Sequence, residues 1–148
     1  MRTRAIAEWA RGWPWLKGYL KTNALMDEQG QATIDTSYSG EVVERYIDGS
    51  RRMRGTFAMA VMLPWSEGYD DVNDEASDVC EDWLDWVRDN QPAELDGREV
   101  VSAEPDVAFP AQDQVYTQEH LARYALTVDV EYIETKREAT SDGKADEG

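Results

Sequence analysis

The chain predicts an α+β fold: a mostly antiparallel sheet of four to five strands with two helices packed on one face. Three observations carry this expectation. Two β-rich runs flank an Asp-Gly pair in "VVERYIDGSRRMRGTFAMAVMLPW", residues 70–90 repeat apolar side chains at helical spacing, and "ARYALTVDVEYIE" alternates apolar with polar residues. A length of 148 residues suits one core. A single domain is therefore expected over 1–134, with an acidic, disordered tail over 135–148, where "KREATSDGKADEG" brings no large apolar side chain.

Taken in order, Thr3 is placed to cap a first helix on which Ile6, Trp9, Ala10 and Trp13 recur at helical spacing, and Gly12 with Pro14 ends it. After the turn-rich "TNALMDEQGQ", the run "ATIDTSY" alternates Ala32, Ile34 and Thr36 against Thr33, Asp35 and Ser37 as a strand does. The hairpin follows, its turn at Asp48-Gly49. On its second arm Phe57, Met59, Val61 and Leu63 share one face, and Ala58, Ala60 and Met62 the other, so both faces are apolar and the strand is expected to be central. Val72, Ala76, Val79, Cys80, Trp83, Leu84 and Val87 then mark one stripe of an amphipathic helix, with Asp71 or Asn73 as its cap and Asn90 with Pro92 as its end. "REVVSAEP" gives a short strand, and Ala122 to Tyr132 a last one with a single apolar face.

The charge is -16, from 31 acids and 15 bases, with nine of the acids inside residues 70–90. Such a surface repels DNA unless the bases are gathered on one patch. The only basic cluster is Arg51, Arg52 and Arg54, without interleaved aromatics, so stable nucleic-acid binding is not expected. One cysteine, Cys80, leaves no intrachain disulfide framework and fits a reducing cytoplasm. No stretch reaches the ~18 apolar residues of a membrane span, so no membrane association is expected.

Each chemical reading meets a simpler one. Asp71, Asn73 and Glu75 open like a calcium loop, but the sixth position is Ala76 where glycine is needed and the twelfth is Asp82 where a bidentate glutamate belongs. No metal or cofactor is expected. Cys80 falls on the apolar face of its helix, His120 is the only histidine, and no nucleophile elbow or phosphate loop occurs, so no enzymatic activity is expected. Paired carboxylates of the glycosidase kind are neither identified nor excluded among so many acids. Trp9 and Trp83 read as core. Trp13, Trp15 and Trp65 lie beside prolines and, with Arg51, Arg52 and Arg54 as a positive knob on a negative body, are the candidate subunit or partner interface. On that reading a neighbouring copy supplies the acids that the arginines need.

The succession of Tyr46 to Ser50 in a hairpin, the apolar strand Phe57 to Leu63, the Asn-led helix Asn73 to Trp86 with its Trp-Leu-x-Trp core, and a closing Ala-x-Tyr strand from Ala122 to Tyr132 resembles the tail terminator or minor capsid proteins of long-tailed bacterial viruses. The motifs span most of residues 40–133; "WPWLKGYL" and the acidic tail have no counterpart. The resemblance implies a structural virion protein of the tail or neck, assembled in the host cytoplasm. It would form a ring, usually of six copies, that caps the tail tube, meets the tail tube protein and the head-side connector, and lets viral DNA pass without specific binding. It carries no catalytic residue. The alternatives are another head-tail joining protein, or a non-viral acidic module that mimics DNA.

Overall fold

A computed structural model describes residues 1–26, 28–35, 40–68, 70–110 and 114–136. Among them the chain runs α1 (Thr3–Ala10), a 3-10 turn (Pro14–Leu16), β1 (Lys21–Thr22), β2 (Ala32–Ile34), β3 (Glu41–Arg45), β4 (Arg51–Pro64), α2 (Asp70–Asp89), β5 (Glu94–Leu95), β6 (Arg98–Ala108), β7 (Val115–Tyr116) and β8 (Leu121–Glu134). The tail expected over 135–148 lies outside the described residues except for Thr135 and Lys136, and Thr36 and Ser37 of the expected first strand lie outside them too.

The sheet corrects the expected fold class. Eight strands take part rather than four or five, in the order β1-β2-β4-β8-β6-β5, with β3 also on β4 and β7 also on β8. The sheet is curled and mixed, since β1 and β2 pair in parallel, Lys21 opposite Thr33. The physical reason is local. β1, β5 and β7 have two residues each, too few to show a period of two, and pairing direction depends on how the chain returns rather than on any pattern within a strand.

β4 and β8 form an unbroken antiparallel ladder from Arg51 opposite Glu134 to Pro64 opposite Leu121. Residues that pair directly share a face. One face therefore combines Phe57, Met59, Val61 and Leu63 of β4 with Tyr124, Leu126, Val128, Val130 and Tyr132 of β8, and this is the face of the main core. On the other face Ala60 and Met62 are also buried, while Arg54, Thr56 and Asp129 are exposed. β2 and β3 both lie on the far edge of β4, so this strand is flanked on both sides.

Helix α2 lays Ala76, Cys80, Trp83 and Val87 into the core, and the Trp83 indole N–H reaches the Thr127 carbonyl at 3.4 Å. It begins ahead of both expected caps. Asn73 lies inside the helix, where its amide accepts the Ser66 N–H and donates to the Ser66 carbonyl, fastening the incoming loop. Helix α1 starts at Thr3 with Arg2 as the capping residue, one position earlier than expected, and no side chain bonds its first turn. It then delivers the "WPW" segment against α2.

Five tryptophans meet there. Trp9 lies 5.3 Å from Trp86 and 6.3 Å from Trp83, Trp13 meets Trp83 edge-on at 5.3 Å, and Trp15 stacks on Trp13 at 5.1 Å. The polar edges are satisfied: Trp13 donates to Asp82 at 2.8 Å and Trp9 to the Asn90 carbonyl at 3.0 Å. Gly12 permits the approach, since a Cβ there would stand 3.3 Å from the Trp86 ring.

Trp83→Ala removes the ring that touches both the cluster and the centre of β8, and a void of that size is expected to cost about 3–5 kcal/mol. Chemical denaturation of the two proteins checks it; equal midpoints and slopes would mean that Trp83 is not a core residue.

Candidate assembly surface

The residues expected at an interface separate into three groups. Trp13 is 0 % exposed and belongs to the core, so it offers nothing to a partner. Its neighbouring prolines suggested a loop, and the chain there does turn, but the turn folds inward onto α2. Trp15 is half-buried and stacked on Trp13. Trp65 is half-buried and lines a cavity of about 460 Å³ with Cys80, Leu84, Phe109 and Tyr124. Trp15 and Trp65 thus stay partly exposed.

The arginines are answered by acids of their own chain. Arg51 pairs with Glu134, whose side chain is only 5 % exposed, on the core face of the ladder. Arg52 lies 3.5 Å from Glu44 and 3.8 Å from Glu131; Arg54 lies 2.7 Å from Glu131 and 3.4 Å from Glu41. The Glu131 carboxylate, bonded to the Arg54 guanidinium, raises its already high pKa further. The register explains the pairing, because Arg54 stands opposite Glu131 on β8 and Glu41 on β3. The positive knob expected from "RRMR" is therefore a band of cross-strand ion pairs, neutralised without a neighbouring copy.

The candidate chemistry also has a definite location. Asp71, Asn73 and Glu75 lie within the helix α2, not in a loop. Among the described residues no group of three or more His, Cys, Asp and Glu is placed to hold a metal ion. Burial, with the Glu81 charge, pushes the Cys80 thiol up to about 11. His120 is exposed in the turn before β8, where its carbonyl accepts the Trp65 N–H. No helix among the described residues is long and apolar enough to cross a membrane.

Two of the sheet's edge segments, along β6 and along β3, differ. Along β6, Gln91 takes both the N–H and the carbonyl of Ala103, Pro105 has no N–H, and the Asp106 carboxylate accepts the Val107 N–H at 2.8 Å. These alternate residues point their backbone groups the same way, so the edge is closed to an added strand. Among the described residues β3 pairs with β4 alone.

What sequence reading missed is a set of bare apolar side chains. Ile47 at the hairpin turn is 109 % exposed, Leu25 98 %, Phe109 88 % and Tyr19 77 %. A branched aliphatic residue in a turn where polar residues are usual was the available signal at Ile47. Tyr19 and Leu25 line a cleft of about 990 Å³ between the loops that follow the 3-10 turn and helix α2. No protein-family model matches the chain, and no curated protein matches it.

Arg51→Ala strips a nearly buried carboxylate of its partner, so a loss of about 1.5–3 kcal/mol is expected. Adding Glu134→Gln should recover most of it, which denaturation of the single and double variants measures. For Cys80, a thiol raised from 9.0 to about 11 is protonated at neutral pH. Its reaction with a thiol reagent at pH 8 should run about 100-fold slower than that of free cysteine and climb as pH rises toward 11. The native state holds that proton more tightly. The associated stability is thus full below the unfolded thiol's pKa and falls as pH rises through the folded one.

Proposed function

We propose that this chain is a structural protein of a long-tailed bacterial virus, a tail terminator that forms a ring, caps the tail tube and joins it to the head-side connector. The observation that carries the proposal is the distribution of its bare apolar side chains. Ile47, Leu25, Phe109 and Tyr19 stand in solvent in loops of a strongly acidic body. Tyr19 and Leu25 share one cleft, and exposed large apolar groups that cluster in this way are characteristic of surfaces that another protein covers. The motif resemblance supplies which assembly this is, with six copies, the tail tube protein on one side and the connector on the other.

The acids fit a conduit for DNA. All nine carboxylates of α2 are exposed, along a helix of about 30 Å. Turned toward the lumen, such a face repels phosphates and lets DNA slide through without sticking. The same row favours one other reading, an acidic module that mimics DNA for a basic protein. The two differ in stoichiometry, since a mimic acts as a monomer or dimer.

Particles assembled in a host lacking this chain should be headless tails of irregular length beside tailless heads, visible by electron microscopy. Supplied again, the protein should appear at the neck as a ring with a mass about six times the 16.8 kDa of one chain. Normal joined particles in its absence would overturn the joining role. Tight one-to-one capture of a DNA-binding protein by the monomer would favour the mimic.

A further inference from the structure

Resting on the reading of the chain as ring-forming, we infer that the tip of the β3–β4 hairpin, led by Ile47, seats in the cleft beside Tyr19 and Leu25 of the next copy. The tip is built as a rigid knob. The Tyr46 N–H bonds the Ser50 carbonyl, the Gly49 N–H bonds the Tyr46 carbonyl, and Gly49 has φ 90, which is a three-residue turn closed by a left-handed glycine. The Asp48 carboxylate accepts from both the Ser50 hydroxyl and its N–H, which holds Asp48 below the usual carboxylate range. The Lys136 stem packs on Gly49, where a Cβ would fall 2.9 Å from the Lys136 Cγ. This fixed turn leaves Ile47 wholly in solvent. A preorganised apolar side chain loses little entropy when it docks.

The cleft is the matching hole. Trp15, Leu16, Leu63 and Val79 contribute to its apolar lining, and its rim carries Lys17 and Lys21 as well as Glu75 and Asp78 from α2. The tip brings the opposite charges in a small space, Asp48 toward the lysines and the exposed Arg45 toward the acids. The ion pairs of Arg51, Arg52 and Arg54 are already made within the chain, so they do not compete for those acids.

The contact joins two different patches. The knob precedes Arg51 and the cleft includes Leu63 and Pro64, the two ends of β4. At about 3.3 Å per residue they lie roughly 40 Å apart, too far for one chain to close on itself. Such a contact either pairs two copies reciprocally or repeats from copy to copy and closes into a ring when the rotation allows, and the ring-forming reading selects the second. The closed β6 edge removes strand addition on that side as the means of assembly.

The test uses the full chain with Ile47→Cys and Leu25→Cys; the buried Cys80 reacts too slowly to compete. Under mild oxidation, a mixture of the two single variants should form mixed disulfide dimers at least tenfold faster than either alone forms its own. The double variant should give a ladder of covalent multimers. Asp48→Lys added to Ile47→Cys should slow the mixed dimer severalfold. Equal rates for mixed and like pairs, or no effect of Asp48→Lys, would overturn the contact. Ile47→Asp tested for restoring joined particles separates the two claims. Full restoration sinks the contact and leaves the joining role standing. A ladder from the double variant, together with normal particles in the absence of the chain, sinks the role and leaves the contact standing.

Discussion

The rest of the structure hangs on the ladder between β4 and β8. Every other strand is attached to one of these two directly, or through β2 or β6, which are themselves attached to them. Its partners are far apart in sequence, Arg51 with Glu134 and Pro64 with Leu121. Closing such loops costs entropy before contacts repay it, so the ladder needs strong compensation. The compensation is its shared apolar face, on which Phe57, Met59, Leu126 and Val128 are buried. Ion pairs at one end secure the register rather than drive the folding. A one-residue slip would set Arg51 beside Ile133 and leave Glu134 buried without a cation.

The tryptophans solve a second problem. A sheet with one apolar face needs a cover, and α2 alone is a single helix with nine acids on its outer side. The segment Trp9 to Trp15 completes the cover by packing flat rings around Trp83 and Trp86, each buried indole N–H finding an oxygen. Asp82 does double duty there. It belongs to the acidic face, yet it also accepts the Trp13 N–H and ties the 3-10 turn to the helix.

Closed and open surfaces alternate around this core. The β6 edge is sealed by an amide, a proline and a carboxylate, and the arginines of β4 are neutralised by their own neighbours. Beside these, the hairpin tip at one end of the long ladder and the cleft at the other expose apolar side chains. Acidity then has a separate role, keeping α2's outer face hydrated and repellent to nucleic acid.

The sequence by itself determined the elements whose periodicity is long. The stripe from Ala76 to Val87, the alternation from Ala122 to Tyr132, and the Asp48-Gly49 turn were all legible, because each depends on neighbours within a few residues. Cys80 was readable as an inert core thiol for the same reason. Only the tertiary structure decided the strand count, the parallel pairing of β1 with β2, and the fate of the interface candidates. Trp13 is buried because α2 lies over it, and the arginines are paired because β3 and β8 carry glutamates in register. Burial and charge pairing are relations between distant segments. A local pattern shows which side chains need a partner, and the fold decides which partner each one meets.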